Sequence, residues 1–392
     1  MRSIALHREP AIPAVMKITN IKTFIVPAHV SDSDWAFGKA FVLVKVETDK
    51  SLFGWGEAYV PNDCEHAIAA LIQSLARYLE GSDPLKISEF RHNALHSFAN
   101  LQTGLHFSCA VAGIETALWD LSGKVHDQPV YKLLGGACRT TVPTYANCHS
   151  NKRLPFEEFI GYAKRQHEAG FTSVKVYPFL NGTSVAEGLQ NLTWLRESLD
   201  PECAILVDAW RTLNYESAQP ALDNLEVLGI RWLEDPVPTE DLESLARLTK
   251  ATSIDIVTGE ILSDDTAFSA LLKHRAANIL NPDITCVGLS AFTSIAASAQ
   301  AASCKVAVHN FNSMGPALAA GLHAGAAIEN LAGVEYFPRF KAATDAFCQL
   351  HWQQAEEGSF ALTEAPGLGI SVDESALTDF DYRPATMRPW PG

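Results

Sequence analysis

No stretch of the chain approaches ~20 uninterrupted apolar residues, the length a helical bilayer span requires, so such a span is excluded. Positive charge is scarce: 30 Lys and Arg stand against 45 Asp and Glu, a formal net charge of −15. The basic residues form no cluster, which argues against a nucleic-acid partner. Paired cysteines are also missing. The eight cysteines (Cys64, Cys109, Cys138, Cys148, Cys203, Cys286, Cys304 and Cys348) show no CxxC spacing, so they read as buried small hydrophobes of a reducing compartment rather than a disulfide frame. Residues 1–15 hold Arg2, His7, Arg8, Pro10 and Pro13 but no apolar core, so they are no signal peptide. With Met16 as an alternative start, they read as a disordered extension. These absences point to the cytoplasm. An anionic substrate would need its positive charge supplied locally, by a lysine or a bound metal.

What is present is an ordinary globular balance, 47% hydrophobic and 19% charged. At 392 residues the natural division is a barrel of about 250 residues and a smaller domain. Alternating apolar and polar residues predict antiparallel strands over Ile18–Val26 and Phe41–Glu47, with Gly54 and Gly56 as turn punctuation. Helical periodicity follows at Glu65–Glu80, Ile87–Phe98 and Ser108–Lys124, the last with Ser108 as its N-cap, and Gly135-Gly136 ends the region. This is an α+β domain over residues 16–140.

Residues 141–350 become repetitive. β-branched runs at Val142–Ala146, Ser173–Tyr177, Ala204–Asp208, Ile230–Glu234, Ile254–Glu260, Asn278–Asp283, Lys305–His309 and Gly333–Phe337 alternate with amphipathic stretches such as Val185–Leu199. Eight such units predict a parallel (β/α)8-type barrel rather than an open sheet. Residues 351–392, rich in Pro and Gly toward their end, read as a segment that packs back onto the first domain.

The runs end on Lys175 and Tyr177, Asp208, Glu234, Glu260, Asp283, His309 and Glu335, at intervals from Lys175 of 33, 26, 26, 23, 26 and 26. One β/α unit takes about 25 residues. The spacing therefore puts each polar group on the C-terminal rim, where barrel enzymes place their chemistry. A lone Asp after a valine run is more often a helix N-cap, but a whole set in register is not explained that way.

Asp208, Glu234 and Glu260 come from consecutive strands about 4.8 Å apart, so three carboxylates meet and need a cation between them. All-oxygen ligands suit Mg²⁺, whereas zinc would call for His or Cys. Lys175 and Tyr177 point to one side of the rim. A lysine beside a dication should have a lowered pKa and can act as a base; the competing reading is a counter-ion for the carboxylates. Asp283 and His309 are neighbours in which the carboxylate sets the imidazole's tautomer and basicity. A protonated Glu335 would donate to a developing oxyanion, the other reading being a plain strand-end glutamate. The set fits abstraction of a proton α to a carboxylate.

These residues resemble the enolase superfamily and, within it, the mandelate racemase subgroup. Further likeness lies in Gly54-Trp55-Gly56-Glu57, in Gly113-Ile114-Glu115-Thr116-Ala117-Leu118-Trp119-Asp120, and in Ala365-Pro366-Gly367-Leu368-Gly369. The resemblance implies a modified TIM barrel, (β/α)7β, with an N-terminal α+β capping domain completed by the C-terminal segment. It implies metal ligands at Asp208, Glu234 and Glu260, a dyad at Asp283 and His309, and the strand-eight glutamate at Glu335. The muconate-lactonising branch carries a lysine where this chain has Asp283. Lys175-x-Tyr177 replaces the usual Lys-x-Lys and resembles some acid-sugar dehydratases; a phenol matches His309 poorly for two-base racemisation. Trp210 stands where the family often has Asn.

The leading expectation is therefore dehydration of an aldonate or aldarate, with Tyr177 assisted by Lys175 as base and His309 as acid. The alternatives are a racemase, epimerase or lactone cycloisomerase, or an inert scaffold. The expected partner is a small-molecule carboxylate, in a homo-oligomer. Lesser features are His92 and His96, read as surface histidines; Asp32-Ser-Asp34-Trp35 and Tyr59-Val-Pro-Asn62, read as lid segments or plain loops; and Trp210 and Arg211, read as substrate contacts or packing.

Overall fold

The computed structural model describes residues 15–27, 40–61, 64–97, 104–149, 156–180, 182–311 and 313–377. Asp32–Trp35 and Asn62 lie outside the described residues. Antiparallel strands Ile18–Pro27, Ala40–Thr48 and Phe53–Ala58 form a sheet. Helices Glu65–Leu79, Ile87–Ser97 and Leu105–His126 pack beside it. His92 and His96 are exposed on the second helix, their rings stacked at 4.2 Å.

Two expectations fail here, the first because backbone packs closely on backbone. Gly54 and Gly56 are not turn residues but lie inside the third strand. A Cβ at Gly54 would come within 1.9 Å of Ala117 O, and one at Gly56 within 2.2 Å of Gly113 O. Their missing side chains let helix Leu105–His126 lie directly on the strand. That helix also starts before Ser108, following Gly104 at φ 99°; Ser108 Oγ instead donates to Ser263 O at 3.3 Å.

Eight parallel strands close a barrel: Thr144–Asn147, Ser173–Val176, Ala204–Asp208, Ile230–Glu234, Asp255–Thr258, Ile279–Leu280, Lys305–Val308 and Leu331–Tyr336. Numbered one to eight, each pairs with the next, and strand eight pairs with strand one. Strand one starts later than expected. Thr141–Val142 leaves the barrel before Pro143 and pairs antiparallel with Phe360–Ala361 of the C-terminal segment. The barrel interior is plugged by Tyr145, Leu206, Trp232, Val257, Ile279 and Ala307.

The C-terminal segment returns to the first domain. Leu368 N donates to Asp120 Oδ1 at 2.8 Å, and Glu374 pairs with Lys22 at 3.3 Å and with Lys45. No disulfide joins the eight cysteines, as expected, but burial is not uniform: Cys138 is exposed and Cys64 half-buried. No helix among the described residues is long and apolar enough to cross a membrane.

Candidate active site

Asp208 and Glu234 are the last residues of barrel strands three and four, and Glu260 lies two residues past strand five. Their oxygens lie within 4.8 Å of one another, and all three side chains are buried. Lys175, inside strand two, reaches across to Glu335 at 2.6 Å, Glu234 at 2.9 Å and Asp208 at 3.3 Å. Tyr177 follows that strand's end. Its hydroxyl accepts from Asn147 Nδ2 at 2.7 Å, and Lys175 Nζ lies 5.7 Å from its ring centroid. On the other side, His309 Nδ1 donates to Asp283 Oδ2 at 2.7 Å, while His309 Nε2 lies 3.0 Å from Glu260 Oε2. All eight expected residues thus converge on one rim.

Charge balance decides what the site needs. Asp208, Glu234, Asp235, Glu260, Asp283 and Glu335 are six buried carboxylates, facing Lys175, Arg211 and His309 as the basic groups of the site. Burial pushes the Asp208 carboxyl up to about 6 and Asp235 up to about 7, and holds Glu234 well above the usual range. Glu260 goes the other way: burial opposes its charge, but His309 and Arg211 outweigh it. Glu234 Oε2 is buried and, among the described residues, has no hydrogen-bond partner. An all-oxygen trio with one orphaned oxygen and excess negative charge fits a hard divalent cation.

The contacts of Lys175 and Glu335 among the protein groups alone bear on the roles expected of them beside a cation. Burial opposes the Lys175 charge, but Glu234 and Glu335 outweigh it, so the protein groups alone raise its pKa well above normal rather than lowering it. It stands here as the counter-ion of the carboxylates, and only a cation competing for their charge would release it as a base. Glu335 accepts on both of its oxygens from protein groups. Its Oε1 takes hydrogen bonds from Lys175 and from Asn147 Nδ2 at 2.6 Å, and its Oε2 takes one from Asn310 N at 3.2 Å. The phenol of Tyr177 is held well above its ordinary value by burial, against the pull of Lys175. His309 is also raised well above normal: burial opposes its charge, but Glu260 and Asp283 prevail.

Several residues escaped the sequence reading. Asn281 Nδ2 donates to Glu234 Oε1 at 2.9 Å, and Asn147 bridges Tyr177 and Glu335. Both stand at strand ends, in Asn281-Pro-Asp283 and Tyr-Ala-Asn147, the signal used for the acids but not applied to amides. Asp235, next to Glu234, binds Arg211 at 2.5 Å, and Arg211 also holds Glu260 at 2.8 Å. Trp210, Arg211 and Asp235 adopt left-handed φ values of 43°, 62° and 41°, backbone strain gathered at the rim. Trp210 is 43% exposed at the mouth, and His149 lies between it and Tyr177, 6.2 Å and 4.7 Å away by ring centroids.

Residues 158–376 match the family described as enolase C-terminal domain-like, and residues 16–135 match the mandelate racemase / muconate lactonizing enzyme N-terminal domain. A D-galactonate dehydratase family member from Streptomyces bingchenggensis is 28% identical, over 92% of this chain and 96% of its own. A D-galactarolactone cycloisomerase from Agrobacterium fabrum is 30% identical, over 93% of this chain and 99% of its own. Among solved structures, an enolase from environmental genome shotgun sequencing of the Sargasso Sea matches with a TM-score of 0.88 at 29% identity, covering 94% of this chain and 97% of that one.

Proposed function

The chain belongs to the mandelate racemase / muconate lactonizing enzyme family of the enolase superfamily, and on that premise we propose that it is an Mg²⁺-dependent dehydratase of sugar acids. The observation that carries the reading is the placement of Lys175 and Tyr177 on one side of the carboxylate trio, with the His309–Asp283 dyad on the other. Asp208, Glu234 and Glu260 would hold the cation, which supplies positive charge where the substrate carboxylate binds.

Tyr177 takes the α-proton, with Lys175 beside it to favour the phenolate. Asn147 donates into the phenolic oxygen, the hydrogen bond an oxyanion there needs. The electron pair left at the α-carbon expels the 3-hydroxyl as His309 protonates it, so water leaves and the resulting enol tautomerises to a 2-keto-3-deoxy acid. Asp283 fixes the His309 ring with Nε2 turned toward the reacting side. The test is incubation of purified protein and Mg²⁺ with a panel of aldonates and aldarates, read by mass spectrometry. Loss of one water supports the reading; isomerisation without mass change refutes dehydration.

A second reading, lactone cycloisomerisation or epimerisation by the same groups, is favoured by the 30% identity to the Agrobacterium cycloisomerase. It predicts a product of unchanged mass.

A further inference from the structure

The capping strand Phe53–Ala58 meets the barrel at the loops that carry His309 and Asp283. Glu57, 4% exposed, accepts at Oε2 from Ser313 Oγ at 2.6 Å and from Ala317 N at 3.2 Å. Ala317 lies in the first turn of helix Pro316–Ala327, where unpaired N–H groups and the helix dipole favour a carboxylate. From Ser313 the connection runs back to the site. Asn310, which follows His309, donates through Nδ2 to Ser313 O at 2.5 Å and through its backbone N to Glu335 at 3.2 Å. Just past the strand, Tyr59 N donates to Thr285 O at 3.3 Å, and its ring centroid lies 5.1 Å from that of Phe311. Thr285 in turn donates to Asp283 Oδ1 through its amide at 2.7 Å and its hydroxyl at 2.5 Å.

We infer that Glu57 is a positioning residue for the His309–Asp283 dyad: one carboxylate of the capping domain sets where the acid stands against the leaving group. The inference rests on the dehydratase reading for the step His309 serves. Truncating Glu57 leaves Ser313 Oγ and Ala317 N buried without this acceptor, so Ser313 and Ala317 must shift to find another. A displacement of about 1 Å at a reacting group costs on the order of 10²-fold in rate.

The test compares Glu57→Ala, Glu57→Gln and Ser313→Ala with the parent protein, all loaded with Mg²⁺. Ser313→Ala removes a single hydroxyl and guards against collapse of the buried site. Glu57→Ala and Ser313→Ala should lower kcat for dehydration about 10- to 100-fold with KM nearly unchanged. The ratio of α-deuterium exchange to water loss should rise, because Glu57 and Ser313 act on the side of the dyad and connect to Tyr177 only at a distance, through Glu335 and Asn147. Glu57→Gln, which keeps an acceptor oxygen, should restore most of kcat. An unchanged ratio in both truncations overturns the inference, as does a parallel fall of exchange and dehydration, which is what a merely structural contact gives. If the parent protein neither exchanges nor dehydrates any sugar acid, the dehydratase reading fails separately. Positioning is then decided by crystal structures of the two truncations: His309 displaced from Asp283 supports it, and an unmoved dyad overturns it.

Discussion

At the scale of single residues, the proposed chemistry is divided between two faces of one substrate. Tyr177 and His309 are assigned different proton transfers, so their loss should separate two signals. His309→Asn should reduce dehydration by about 10²- to 10⁴-fold while leaving α-proton exchange measurable by NMR in D₂O. Tyr177→Phe should abolish both. If Tyr177→Phe exchanges its α-proton at the normal rate, the base is another group. The acidic and basic members of the site were legible because each closes a β-branched run at a regular interval. The amides Asn147 and Asn281 stand at equivalent positions, yet hydrogen bonding between side chains of different strands leaves no spacing to read. The direction of the Lys175 pKa among the protein groups alone is illegible for a related reason: it depends on Glu234 and Glu335, far away in sequence but 2.9 Å and 2.6 Å away in space.

At the scale of elements, periodicity located the strands within a few residues and failed where packing overrode composition. Gly54 and Gly56 look like turn residues in sequence. Only the three-dimensional contact with Ala117 and Gly113 shows why a strand needs them. Gly56→Ala should therefore destabilise the fold, by about 1–3 kcal/mol on the scale of overpacked cores, measured as a lower urea midpoint. Midpoints equal to those of the parent protein would contradict this packing. The same limit applies to Thr141–Val142. Val142 reads as the start of the first barrel strand, but the partner of the pair, Phe360–Ala361, is more than two hundred residues away and cannot be inferred from local pattern.

At the scale of the whole molecule, the buried acids make stability depend on both pH and metal. In metal-free protein, Asp208 is raised to about 6 from 3.8 and His309 well above 6.5. The folded state therefore binds protons more tightly than the unfolded one. Asp208 adds stability as pH falls through about 6, and His309 adds it as pH falls from its raised value toward 6.5. The Tm of metal-free protein should rise from pH 8 to pH 6, and saturating Mg²⁺ should stabilise more at pH 8 than at pH 6, because at the lower pH it must displace a proton. A metal-free Tm that falls over this range would refute the assignment. The central claim is that Asp208, Glu234 and Glu260 together bind one divalent cation, and calorimetric titration of Mg²⁺ or Mn²⁺ tests it most directly. The account predicts one ion per chain in the parent protein and loss of that binding in Asp208→Asn and Glu260→Gln; equal stoichiometry and affinity in all three proteins would contradict it.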